Sequence, residues 1–158
     1  MRAKPSYRWW CALSTRALVA VLILMALAGA SAAEEQQPSL TITVGGINVA
    51  LGGQIYFGLY AKAKGFPKDS AIFKGDTVPV TGATAVYSFV DLMPGRYAVA
   101  VYHDANSNRV FDRNFIGIPT EGYGFSNGAF GSFGTPPEFE AASFEVKGDK
   151  QINLDMKY

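Results

Sequence analysis

Apolar and polar positions alternate strictly in two early stretches of the chain. Leu40, Ile42 and Val44 interleave with Thr41 and Thr43, and Ile55, Phe57 and Leu59 interleave with Tyr56, Gly58 and Tyr60. A period of two sends successive side chains to opposite faces of a pleated strand, so both stretches read as strands with one buried face. Short β-branched or aromatic runs bounded by Gly, Pro, Asp or Asn predict five more, at residues 77–80, 85–90, 96–103, 142–146 and 151–156. Seven strands at this spacing predict an all-β, antiparallel sandwich of the Ig or prealbumin type. The one helix-like stretch, Ala61 to Lys74, is interrupted by Gly65 and Pro67 and reads as an irregular connection with a single helical turn. Asp91-Leu92-Met93-Pro94-Gly95-Arg96 predicts a corner, with Pro94 presetting φ and Gly95 supplying a positive φ. From Asp104 to Glu140 the alternation stops, leaving a long Gly-, Asn- and Phe-rich connection of the kind that binds something or packs as an ordered flap.

The first thirty-odd residues have a different character. Arg2, Lys4, Arg8 and Arg16 precede an uncharged run from Ala17 to Ala28, followed by the small residues Gly29 to Ala33. That order is a secretory signal peptide, residues 1–33, with cleavage near Ala33 or Glu34 and a mature domain at 34–158. The uncharged run falls short of the roughly 20 apolar residues a spanning helix needs, so no membrane span is expected in the mature chain. Export places the protein in the periplasm or outside the cell. Cys11, the only cysteine, leaves with the signal, so the mature domain holds together without disulfides.

Composition sharpens this picture once the signal is set aside. The whole chain has a formal charge of +1 and is 49% hydrophobic, which excludes disorder. Removing four bases and no acids leaves ten basic against thirteen acidic residues. With no basic stripe for phosphates, no nucleic-acid partner is expected.

Two motifs in the long connection carry candidate chemistry. Asp104, Asn106 and Asn108 stand at alternate positions, with the Val110 carbonyl and Asp112 following, which is the spacing of oxygen donors in a calcium loop. An EF-hand would carry Gly where Arg109 stands and Glu where Phe115 stands, and Glu121 completes the set only if the chain folds back. The site is therefore a candidate for weak Ca2+ binding, roughly 10⁻⁴ to 10⁻³ M. Its rival is a turn whose Asn and Asp side chains bond to their own backbone. The second motif, spanning 115–133, alternates Gly with large rings. Tyr123, Phe125, Phe130 and Phe133 could lay faces against a sugar or peptide, or close the open end of the sandwich themselves. His103 is the only histidine and has no nucleophile motif beside it. A hydrolase centred on His103 and Asp104 would require both in one concave pocket with a third polar group.

The block DLMPGRYAVAVYHDANSNRVFDRNFIGIPTEGYGFSNGAFGSFGTPPEFEAASFEV, with LTITVGGI and IYFGLY before it, resembles the bacterial DUF2141 family of exported proteins. The family's loop reads D-x-N-x-N-G-x-x-D, so Arg109 stands where Gly is usual. The D-L-x-P-G-x-Y corner is similar to that of transthyretin-like and carboxypeptidase-regulatory-like β-sandwiches, which implies fold and not function. The hydrolase branch of the transthyretin-like proteins uses several histidines and a C-terminal Tyr-Arg-Gly-Ser, neither of which is present. The sequence thus predicts an exported, non-catalytic binding or structural module of the bacterial envelope, with an envelope carbohydrate or protein as partner.

Overall fold

A computed structural model describes residues 36–132 and 135–158. The predicted signal peptide and Phe133 lie outside them. Two sheets carry the fold. The smaller consists of β1 (Leu40–Gly45), β4 (Ala85–Phe89) and β8 (Lys150–Asp155) in the order β4-β1-β8. The larger consists of β2 (Gln54–Tyr60), β3 (Lys74–Pro79), β5 (Gly95–Asp104) and β6 (Tyr123–Phe125) in the order β3-β2-β5-β6. A short β7 (Phe144–Val146) pairs with the start of β5.

Alternation builds the core between these sheets. Leu40, Ile42 and Val44 of β1 face Ile55, Phe57 and Leu59 of β2 and Val99 and Val101 of β5, with Leu92, Val146 and Leu154 filling in. Each fully buried side chain of this size contributes about 1.5–3 kcal/mol relative to exposure. Close approach of β2 to β5 depends on Gly53, whose φ is 71° and whose absent Cβ would run into the Asp104 carbonyl. No other residue fits there.

Several expectations are corrected. The described residues form eight strands, not seven, because β6 interrupts the long connection. The sheets are not purely antiparallel: β8 runs parallel to β1, with Ile42 opposite Ile152. Side-chain alternation reports which face is buried and is silent on strand direction. The expected strand at 142–146 begins instead with a helical turn, α1 (Phe139–Ala142), and only then becomes β7. At the corner the left-handed residue is Asp91, with φ 53°, while Gly95 is already paired with Val146. The chain turns early because Leu92 is fully buried, its N–H donates to the Pro38 carbonyl and Lys74 Nζ binds the Val90 and Asp91 carbonyls.

A second apolar cluster lies on the outer face of the larger sheet. Tyr60, Ala98 and Phe125 pack there with Phe139 and Ala142 of α1 and with Phe66, Ile72, Tyr123 and Phe130. Tyr123, Phe125 and Phe130 thus cover a sheet face. Ser126 fastens this outer layer to β5. Its buried hydroxyl donates to the Ala142 carbonyl at 2.6 Å and accepts from the Val99 N–H at 2.9 Å. The connection from Ala61 to Phe73 supplies the rest of the layer, with a single 3₁₀ turn at Asp69–Ala71.

Candidate functional site: an aromatic trough on the outer sheet face

Cross-strand register generates the site. Tyr56 of β2 lies opposite Tyr102 of β5, which lies opposite Tyr123 of β6, so three tyrosines form one row across the sheet. The adjacent row is Gly58, Ala100 and Phe125. The Tyr60 ring lies over Gly58, while the small Ala100 lets the surface sink beside the tyrosines. The resulting trough encloses about 80 Å³ and opens onto solvent. Tyr60 and Phe125 close its inner side, and Pro67, Asp69, Phe111, Arg113 and Pro136 form its rim.

Aromatic packing fixes the walls. The Tyr56 and Tyr102 rings stack at 4.9 Å with 21° between planes. Phe111 sits between Tyr102 and Tyr123 at 5.5 and 5.7 Å, and Arg113 lies 4.9 Å above Phe111. The Tyr60 hydroxyl donates to the Pro67 carbonyl at 2.9 Å and holds the 61–73 connection against the sheet. Electrostatically the trough has an acidic edge. Burial first, and then the negative charge of Asp69, pushes the phenols of Tyr56, Tyr60 and Tyr102 above their ordinary value. All three are neutral donors at physiological pH.

The four predicted ring residues separate. Tyr123 and Phe125 are strand residues that line the trough, not loop residues. Phe130 packs behind them at 5.9 and 6.2 Å, half-buried, with Lys157 Nζ 3.8 Å from its ring. Sequence reasoning missed Tyr56, Tyr60, Tyr102, Phe111, Asp69 and Arg113. The signal was present in the two long strands, where the nominally solvent-facing alternates of IYFGLY and AVAVY include tyrosines.

The predicted metal residues form a polar knot beside the trough. The buried Asp104 carboxylate accepts from Gln54 Nε2 at 3.0 Å and from the N–H groups of Asn108 and Arg109 at 3.0 and 2.8 Å. Asn106 Oδ1 accepts from the Asn108 N–H and Asn108 Oδ1 from the Val110 N–H, as in Asx turns. Both amides also donate to Asp112 Oδ2, at 2.8 and 3.1 Å. The chain does fold back to bring in Glu121, which accepts from the N–H groups of Ala105 and Asp112. Burial holds the Glu121 carboxyl above its ordinary value despite those two donors, and the charges of Asp112 and Asp104 push the same way. The loop therefore brings Asp104, Asn106, Asn108 and Asp112 together around its own backbone. Among the described residues, no group of three His, Cys, Asp or Glu side chains is arranged to hold a metal ion.

His103 faces the other way. It is fully buried, and its Nε2 lies 2.6 Å from the Gly52 carbonyl, which can only accept. Nε2 therefore carries a proton, and Nδ1 pairs with the Tyr158 hydroxyl at 2.7 Å, which also accepts from the Asn48 N–H. As consecutive residues of β5, His103 and Asp104 point to opposite faces of the sheet. His103 is not part of the trough lining.

No helix among the described residues is long and apolar enough to cross a membrane. Comparisons with curated proteins and with solved structures return no match. A family profile described as "Uncharacterized protein conserved in bacteria (DUF2141)" matches residues 42–153, from the middle of β1 into β8. The whole larger sheet, most of the smaller one and the polar knot fall inside that span, and the chain belongs to the DUF2141 family.

Proposed function

We propose that this chain is an exported, non-catalytic binding module of the bacterial envelope, and that its ligand is a carbohydrate seated in the aromatic trough. One observation carries the reading: a solvent-open trough enclosing about 80 Å³ is walled by Tyr56, Tyr60, Tyr102, Phe111, Tyr123 and Phe125, with Asp69 and Arg113 also lining it. Such a surface suits sugar rings, whose apolar faces stack on aromatics while hydroxyls reach charged groups at the edge. A hydrolytic role gains no support from His103, whose two ring nitrogens are both engaged inside the protein.

The test uses the tyrosines as reporters. Trp9 and Trp10 are the only tryptophans, so a protein starting at residue 34 has none and its emission comes from tyrosine. Titration with soluble cello-, malto- and chito-oligosaccharides is expected to give a saturable change for at least one series. Tyr56→Ala is expected to weaken that binding roughly tenfold or more, the loss of one stacking wall. Silence across all three series, together with binding of extended peptides at the same tyrosines, would move the ligand class from carbohydrate to peptide.

A further inference from the structure

The trough continues beyond its aromatic walls in two directions. Tyr56, Asp69 and Tyr102 also line a wider polar shelf of about 490 Å³, together with Gly75, Asp76 and Thr77 of β3 and with Arg109. A Cβ at Gly75 would meet the Tyr56 hydroxyl at 2.6 Å, so the bare glycine is what lets that phenol reach over β3. On the other side, Pro67, Asp69, Phe111, Arg113 and Pro136 also line a depression of about 510 Å³ that extends to Phe66, Lys68 and Val110. Among the described residues, shelf and depression have only Asp69 in common. The narrow trough is therefore the middle of a longer groove, with Asp69 beside all three parts. From the shelf over β3 to the trough wall on β6 is three strand spacings, about 14 Å, which is longer than one sugar ring.

Asp69 is fixed in place and unpaired. Its backbone is held in the 3₁₀ turn, where the Ile72 N–H donates to the Asp69 carbonyl at 3.2 Å and the Ala71 N–H to the Lys68 carbonyl at 2.9 Å, next to the Pro67 carbonyl that Tyr60 binds. Other acids nearby are occupied. Asp76 accepts from the Thr77 N–H and the Tyr87 hydroxyl, and Asp104 and Asp112 are taken up by the polar knot. The Asp69 carboxylate makes no hydrogen bond or ion pair among the described residues. Its negative charge nevertheless reaches the phenols of Tyr56, Tyr60 and Tyr102, which it helps to hold above their ordinary value. A preplaced acceptor thus stands beside stacked rings where the three parts of the groove meet.

An acceptor in that position needs donors from the ligand. Sugar hydroxyls supply them while the rings stack on aromatic faces. A proline-rich peptide also lies in aromatic grooves, but each proline lacks the N–H that a carboxylate would accept from. Other extended peptides add to a sheet edge, whereas this groove crosses a face whose backbone groups are paired within the ladders of β3, β2, β5 and β6. Resting on the carbohydrate reading above, we infer that the groove takes the interior of an oligosaccharide chain at least three units long, with one unit in the trough, one on the shelf and one in the depression, and that Asp69 anchors the hydroxyls of the central unit.

The experiment is calorimetric titration of the protein starting at residue 34, which contains every described strand and both apolar clusters, with cello-, malto- and chito-oligosaccharides of one to six units. In a series that binds, affinity is expected to climb roughly tenfold or more from one unit to three and then to level off, because each linked unit adds a contact without a new association cost. Asp69→Ala is expected to weaken binding of the trisaccharide roughly tenfold or more, and Asp69→Asn by less, through the loss of a charged acceptor. The thermal melt should not move in either variant, since the side chain is exposed. Arg109→Ala on the shelf and Lys68→Ala in the depression should each shrink the ratio of affinities for three units against one. Equal affinity for one unit and for six would overturn the inference and leave a single-ring carbohydrate site standing. So would unchanged trisaccharide binding by Asp69→Ala. Silence from every length in all three series would overturn this inference and the carbohydrate reading together.

Discussion

Phe57 and Tyr56 are neighbours on one strand and live in different worlds. Phe57 is fully buried between two sheets, whereas Tyr56 stands on the outer face, half-buried, in a wall that opens onto solvent. The inner face is sealed because both sheets present complementary apolar residues to it. The outer face is covered by an irregular layer contributed by the 61–73 connection and the 126–142 segment, and that cover leaves a gap over Ala100. Irregular cover over a regular sheet is how a binding concavity arises without disturbing the core.

The largest effect should come from breaking that contrast at its inner side. Phe57→Ala is expected to destabilise the fold by about 3–5 kcal/mol, through lost transfer energy and a cavity that two sheets cannot close. Tyr56→Ala should cost no more than about 1 kcal/mol, since it loses part of one stacked pair on an accessible face. Urea denaturation of both variants measures the difference directly. A Tyr56→Ala loss as large as that of Phe57→Ala would make the outer layer a second structural core.

Next in size is the polar knot. Asp104→Ala strands the Gln54 amide and the backbone N–H groups of Asn108 and Arg109, all of which the carboxylate now satisfies. About 2–3 kcal/mol is expected, concentrated at this end of the molecule, with both sheets still folded. Amide exchange should rise at residues 105–112 before it rises in β1 or β2. Melts in EDTA and in about 5 mM calcium are expected to coincide, because the knot's oxygens are already occupied by its own donors. A rise of several degrees in calcium that Asp104→Ala removes would instead make this loop an ion site.

How far these features were legible differs between the two regions for a physical reason. The inner faces were readable because apolar alternation is the direct imprint of burial on a strand, and Leu40, Ile42, Ile55 and Phe57 all fall where it puts them. The knot's members were readable from their spacing, and Asx-turn chemistry is local enough to be weighed from composition. The trough was not, because it depends on register: only pairing Tyr56 with Tyr102 and Tyr123 builds the wall beside Ala100. The parallel pairing of β8 with β1 was hidden for the same reason, being a relation between segments more than a hundred residues apart.

The smallest effect tests the seam between the two regions. Arg109 holds φ at 61°, a left-handed conformation in which a side chain costs about 1–2 kcal/mol and a glycine costs nothing. Its backbone stays there because its N–H is claimed by Asp104 at 2.8 Å, while its side chain reaches the polar shelf beside Tyr56 and Tyr102. Arg109→Gly relieves the strain but gives the unfolded chain more freedom, so the net gain should be only about 0.5 kcal/mol. The same substitution at Val110, where φ is not positive, should destabilise instead, and a urea midpoint resolves the two signs. If Arg109→Gly stabilises the fold while weakening ligand binding, the strained arginine is retained for what its side chain does at the surface. If it stabilises and binding is untouched, the knot tolerates the strain for no gain in the trough, and the two regions are independent.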